Sequence, residues 1–412
     1  MTGVLPSLDG LRPNPDWAKL PLFDCTGWRK LPFGEFAQSI NERVEPSEAA
    51  EDIYVGLEHL DPQSLHIRRW GKGRDVIGTK LRFLKGDIIF GRRRAYQRKL
   101  AVAEFDGICS AHAMVVRAKQ DMVLPEFLPF LMMSDRFMNR AVEISVGSLS
   151  PTINWKTLKL EEFALPPLGQ QRRIAEILWA VDEVARGYTS LNDTLAKNRR
   201  SQIDRLIPSP SHSVQGLKFT RLDNVASMQN GRPFPSAKYQ EHGVRLIRPG
   251  NLAPDGTFNW APSVTVSLPE ELLKENSKWF IETGQILINL TAQSVEDGFI
   301  GRVCFTGPMD TGLLNQRIGR FLLNDEVMPK FFFRCLQTTP FRALVENRCE
   351  GSKIRHLYFR HFEDFAIPIL SKVKQHDIIE RLEAVDTSLS EANVVQTNLR
   401  LLRQTLNNIL ID

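Results

Sequence analysis

Apolar residues along the chain follow two rhythms. After Pro166-Pro167 they fall at Ile174, Leu178, Val181, Ala185, Tyr188, Leu191 and Leu195, in steps of three and four. The pattern weakens at Asn198 and Gln202 and ends near Leu206. A cleaner series runs through Ile378, Leu382, Val385, Leu389, Ala392, Val395, Leu399, Leu402, Leu406 and Ile409. Heptad spacing of this kind marks a helix with one apolar seam. It predicts helical arms over 172–206 and 376–410, each about 54 Å long at ~1.5 Å per residue. Gly187 costs about 1 kcal/mol relative to Ala and predicts a bend in the first arm. A single narrow seam makes no globule alone, so the arms are expected to pair antiparallel and bury both seams. Pro208 and Pro210 end the first arm, and Pro208–Gly216 reads as a linker.

Elsewhere the runs are short and strand-like: Asp52–Leu57, Asp87–Phe90, Met114–Val116, Arg245–Ile247, Gln285–Leu290 and Arg302–Phe305. Glu126–Ser134 and Lys330–Thr338 read as short helices. The two halves echo each other. FALPPLGQQRRIAEILWAVDEV from Phe163 resembles FAIPILSKVKQHDIIERLEAVDTS from Phe365, at an offset of 202 that becomes 204 after a two-residue insertion. The 204 offset also pairs Phe137 with Phe341 and Gly147-Ser148 with Gly351-Ser352, and KGDIIFG (Lys85–Gly91) resembles TGQILIN (Thr283–Asn289). The layout is therefore a mixed α/β globule (1–165), a helix (166–207), a linker (208–216), a second globule (217–368) and a second helix (369–412).

Composition narrows the function. In 412 residues, 42% are apolar and 25% charged, ordinary for a globular chain of two or three domains. The apolar stretch Leu124–Met133 is broken by two prolines and a glutamate and is shorter than the ~20 residues of a membrane span. MTGVLPSLDG lacks the basic and apolar regions of a signal peptide, so the expectation is a cytoplasmic protein without membrane contact. Five scattered cysteines without a CxxC argue against a disulfide framework or a zinc site. Enzyme signatures are missing. GRDVIGTK (Gly73–Lys80) places Thr79 before Lys80, the wrong order for a phosphate-binding loop. No GxGxxG or GxSxG is present, and NPDW (Asn14–Trp17) lacks the second proline of an adenine-methyltransferase motif. The net charge is only +5, but Arg68–Lys99 holds twelve Lys/Arg against Asp75 and Asp87, interleaved with Trp70, Phe83, Phe90 and Tyr96. Unmixed positive charge among aromatics suits a polyanion such as nucleic acid. A coiled-coil scaffold and an enzyme with an unrecognised active site are the alternatives from other classes.

These features together resemble the DNA-specificity subunits of type I restriction-modification systems. Three of them carry the likeness: LPPLGQQRRIAEILWAVDE at Leu165–Glu183, GDIIFGRRRAYQRKLAVAEFDGICSAHAMVVR at Gly86–Arg117, and the order domain–helix–domain–helix. Gly169 and Gln170-Gln171 stand where the family commonly has an acid before the glutamine, and the second arm (AIPILSKVKQHDII) is degenerate against the same motif. The resemblance implies two α/β target recognition domains, each reading half of a bipartite, asymmetric double-stranded DNA site, with antiparallel helices fixing the spacing. It implies that this chain has no catalytic residue, cofactor or metal. Two methyltransferase subunits using S-adenosylmethionine would bind it, at Gln171, Arg172, Arg173 and Glu176, and restriction subunits using ATP and Mg would be further partners. DNA contacts are expected at Lys72, Arg74, Arg92, Arg93, Arg94, Tyr96, Arg98 and Lys99 in the first globule. The repeat points to Thr291, Gln293 and Ser294 in the second. Ser148 and Ser352 in the Gly-Ser turns, with Lys353 and Arg355, are expected at phosphate.

Overall fold

A computed structural model describes residues 22, 24–50, 52–148, 150–212 and 216–411. The readings on Met1–Gly10 and Asn14–Trp17, and residues 213–215 of the linker, lie outside them. The chain forms two compact units, one of residues 1–189 with 394–412 and the other of residues 190–393.

The first unit is built on a strand that separates two cores. Ile88–Phe90 sits inside a four-stranded antiparallel sheet ordered Ala37–Ile40, Met114–Ala118, Ile88–Phe90, Leu100–Val102. All three of its side chains are buried. Alternation sends Ile88 and Phe90 to a core with Phe33, Phe36 and Phe137, and Ile89 to another with Val55, Phe83 and Val115. A five-stranded sheet covers the second core and contains one parallel pair, Tyr54 with Ile108. Arg29–Pro32 and Glu162–Leu165 pair antiparallel and bring the globule's two ends together.

The second unit repeats these devices. Ile286–Asn289 is central between Ile318–Leu323 and Val303–Phe305, with Ala226–Asn230 at the edge. Ile286 and Ile288 face a core with Phe331, Phe332 and Phe341, while Leu287 faces another with Ile247 and Cys304. Phe219–Arg221 pairs with Ala366–Pro368. Each unit also carries a capped helix at the same offset. Ser134 caps Asp135–Glu143 by accepting from the Phe137 N–H, and Thr338 caps Thr339–Arg348 by accepting from the Phe341 N–H.

Both arms are helical, over Leu168–Leu206 and Lys372–Ile411, each beginning four residues earlier than the seam predicts; the first runs through Gly187 as helix. In the first unit Asp182 pairs with Arg403 and the Gln396 amide donates to Thr189 Oγ1 at 2.6 Å. In the second, the Asn192 amide donates to Ala392 O at 3.5 Å, and Arg199 pairs with Asp386 at 2.5 Å. Within each unit, then, the arm segments run antiparallel. The seam differs from the expected one: Leu191, Leu402 and Ile409 are exposed, while Asp182, Asn192 and Asn407 are buried. A strict seven-residue repeat drifts by about 20° per heptad around a straight helix. The helix ends are turned instead by the globules, which take Ile174, Ala175, Leu178, Leu410 and Ile411 into one core and Ile203, Ile378, Ile379 and Leu382 into the other. Among the described residues, no helix is long and apolar enough to cross a membrane.

Candidate nucleic-acid interface

Part of the basic run is neutralised by acids that fold back onto it: among the described residues Arg68, Arg69, Arg82 and Arg98 meet carboxylates. Arg68 and Arg69 share Asp61, Arg82 lies between Glu42 and Asp52, and Arg98 pairs with Asp135 at 2.5 Å. Lys80 donates to the carbonyls of Ile77 and Gly78, and Lys99 donates to Leu57 O at 2.7 Å. Arg98 also donates to Met133 O. Arg98 and Lys99, expected at DNA, are therefore tied inward by their own unit. Lys72 and Arg74 are exposed at an edge strand of the five-stranded sheet and the short turn after it, apart from the group described next.

Arg92, Arg93 and Arg94 are not neutralised in this way. Among the described residues no carboxylate pairs with them. Arg92 donates to Ala111 O at 2.9 Å, and Arg93 donates to Ser150 Oγ at 2.7 Å and meets the His112 ring at 3.3 Å. These bonds join three loops: the one after Ile88–Phe90, the turn at Ser110–Ala113, and the loop closed by the bridge between Val146 and Thr152, which carries Gly147-Ser148. Burial, helped by Arg93, Arg92 and Lys80, lowers the His112 pKa and favours the neutral ring. Arg94 and Arg98 flank Ala95–Gln97 with φ of +59° and +51°, left-handed backbone that non-glycine residues adopt at a cost of about 1–3 kcal/mol. Both are fastened there: Arg94 N–H donates to Pro151 O, and Arg98 N–H to Ala95 O. Arg94 and Tyr96 project to solvent.

The second unit assembles the same three loops. Thr291–Ala292 pairs antiparallel with Arg355–His356, and a bridge between Glu350 and His356 closes the loop carrying Gly351, Ser352 and Lys353. Gly147 and Gly351 have φ of +118° and +103°. The sequence echo thus brings Thr291, Ser352, Lys353 and Arg355 together. The chemistry is less basic here than in the first unit. Gln293 and Ser294 donate their backbone N–H groups to Asp297, and Ser294 Oγ accepts from the Asp297 N–H, so the Ser294 hydroxyl holds the turn. Glu296 stands beside them with its carboxyl held below the usual range, by its own backbone N–H, the Ser294 hydroxyl and Arg355. The third loop, Asn315–Arg317, was not among the expected sites. The Leu290 N–H donates to Arg317 O, which places this loop against the strand leading to Thr291.

The residues expected at a partner divide differently. Gln171 is buried: its amide donates to Met122 O at 3.1 Å and Pro166 O at 2.8 Å, and it accepts from the Leu124 N–H at 2.8 Å. It seats the first arm on its globule, which corrects its assignment to a partner surface. Gln375 does the same in the second unit, accepting from the Met328 N–H and donating to Glu326 O and Leu370 O. Arg172, Arg173 and Glu176 are exposed. An exposed apolar stripe was missed: Ile177, Val184, Val394 and Leu401 lie on the arm segments of the first unit. Its sequence signal is a pair of apolar residues seven apart beside each seam, Ile177 with Val184 and Val394 with Leu401.

Over residues 74–191 and 215–398 the sequence matches the family described as the type I restriction modification DNA specificity domain. The specificity subunit of type I restriction enzyme MjaVIII from Methanocaldococcus jannaschii is 22% identical over 279 residues, 64% of this chain and 64% of that relative. The specificity subunit of EcoDI from Escherichia coli is 28% identical over 183 residues, 41% of this chain and 38% of the relative. The chain thus spans less than two thirds of the length of these two curated relatives. A solved type I restriction-modification system S subunit from M. genitalium covers 94% of this chain and 96% of its own, at 16% identity and a TM-score of 0.56. A second structure, from work on complex assembly and conformational transition of the type I R-M system, covers 93% and 97% at 20% identity and a TM-score of 0.56. Likeness at these identities shows a shared fold. The family match spans well over half of the residues, and the chain belongs to the type I restriction modification DNA specificity family.

Proposed function

We propose that this chain is the non-catalytic subunit that gives a type I restriction-modification complex its DNA sequence specificity. Each globule reads one half of a bipartite, asymmetric double-stranded site. The paired arms form an antiparallel coiled coil that sets the distance between the halves, and the two halves of the chain are copies of one ancestral plan. The domains are those of the sequence layout: globules over 1–165 and 217–368, helices over 166–207 and 369–412, and a linker over 208–216. The observation that carries the reading is the three-loop face present in both units, left cationic at Arg92–Arg94 in one and amide- and hydroxyl-rich in the other. Loops on a rigid sheet, bearing Arg, Gln and Ser, match what base edges and phosphates demand.

Two methyltransferase subunits bind the arms, and the stripe Ile177, Val184, Val394 and Leu401 gives their helices an apolar surface. S-adenosylmethionine serves those partners, restriction subunits with ATP and Mg join them, and the complex works in the cytoplasm. The test replaces Arg92, Arg93 and Arg94 together by Ala in the complex with its methyltransferase. Affinity should fall for every sequence, and the slope of log K against log salt should drop by about 1 for each phosphate that is no longer neutralised. Unchanged affinity and an unchanged slope would make the patch a solvated surface.

A further inference from the structure

The loop Asn315–Arg317 is locked on both sides while two of its side chains are left without partners. Its backbone is held by five bonds: Asn315 N–H to Ile247 O, Gln316 N–H to Arg232 O, Arg317 N–H to Asn315 Oδ1, Ile318 N–H to Asn315 O, and Leu290 N–H to Arg317 O; Arg232 N–H to Leu314 O fastens the strand just before it. Asn315 is buried. Gly231 lets the neighbouring chain pass this closely, since a Cβ there would lie 2.1 Å from Asn315 O. Gln316 and Arg317 are exposed, and among the described residues nothing pairs with the Gln316 amide or the Arg317 guanidinium. They rim an open cavity of about 470 Å³ whose other walls include Tyr239, Arg248, Gly250 and Ser263. Arg248 is itself fixed, donating to Val264 O at 2.9 Å and lying 5.5 Å from the Tyr239 ring centre.

From this geometry we infer that Gln316 and Arg317 form a purine-reading site in the second unit, with Arg317 taking the O6 and N7 edge of guanine and Gln316 the N6 and N7 edge of adenine. The inference rests on the DNA-reading function proposed above and assigns readers to one of its halves. Arginine and glutamine are the side chains whose paired hydrogen-bonding atoms match those two edges. The rigid backbone is already ordered, so binding has only the two side-chain tips left to fix. The loop also sits on the face already defined, because Leu290 joins it to the strand entering Thr291. Gln293 and Ser294 are less suited to this role, since their turn is closed on Asp297. The corresponding turn of the first unit carries His112, so the two units present different chemistry at one place in a shared fold, as an asymmetric site requires.

The test maps methylated sequences made by the full complex carrying wild-type chain, Arg317→Ala, Gln316→Ala or Gln316→Glu. Arg317→Ala and Gln316→Ala should each relax the choice at one position, both in the same half-site, with the preferred base losing on the order of ten- to a hundred-fold of its advantage. Gln316→Glu should move the preference at its position toward cytosine, whose amino group a carboxylate accepts. An unchanged site with all three variants overturns the inference. So does a uniform loss across sequences with a shallower salt slope, which would make these residues phosphate contacts and leave the DNA-reading function standing. Sequence-independent methylation by the wild-type complex would instead overturn the function on which the inference rests.

Discussion

Replacing Gln171 with Ala separates an internal anchor from a partner contact. The side chain makes three hydrogen bonds, to Met122 O, Pro166 O and the Leu124 N–H, at 2.8–3.1 Å and with 1% exposure. Alanine leaves one backbone donor and two carbonyls without partners in a space too enclosed for easy hydration. At about 1 kcal/mol for each hydrogen bond removed, with a further penalty where a group stays dry, the cost is about 3–4 kcal/mol. For a cooperative unit of this size, about 2–4 °C of melting temperature follows each kcal/mol, so the transition of the first unit should fall by about 6–16 °C. Gln171→Glu should cost at least as much. It keeps the acceptor for Leu124 but turns a carboxylate toward two carbonyl oxygens. The assay is thermal unfolding of the full chain, run beside a binding measurement with the methyltransferase subunit. A melting temperature within about 2 °C of wild type, together with weakened subunit binding, would refute the anchor and restore the partner reading.

Two other consequences are open to measurement. The His66 ring bridges Asp182 and Glu104 at 2.6 Å each, and the hydrogen bond to Asp182 leads the causes that raise its pKa, against burial. The stabilisation from the charged ring is full below the ordinary imidazole value and is lost as pH rises through the raised one, so the unfolding midpoint should fall across that window and His66→Gln should flatten the fall; parallel pH profiles would contradict it. Val184→Glu with Leu401→Glu places charge on the apolar stripe, and it should weaken methyltransferase binding at least ten-fold while leaving the melting temperature within about 2 °C, because both residues are exposed; intact binding would remove the stripe from the partner surface.

Much of the fold was readable because local pattern and tertiary demand agree. Ile88–Phe90 and Ile286–Asn289 are short apolar runs because both faces of each strand are covered, and the arms show their seams because helices repeat every few residues. The basic run overstates the free charge, since counting along the chain takes no account of Asp61, Glu42, Asp52 and Asp135 folding back onto Arg68, Arg69, Arg82 and Arg98. Gln171 looked like a surface residue because glutamine usually is; its three partners lie 5, 47 and 49 residues away. Asn315–Arg317 is marked in the sequence only by the loose echo of ICSAHAMVV (Ile108–Val116) in LLNQRIGRF (Leu313–Phe321). It matters because Leu290 and Arg232 hold it at the face, and long-range pairing of that kind leaves no period to read.

The most direct measurement exchanges residues 1–165 for the first globule of another family member and sequences the adenine methylation made by the complex. One half-site should change to that of the donor, while the other half and the spacing between them stay as they were. A change in both halves, or in neither, would contradict a chain built of two independent readers.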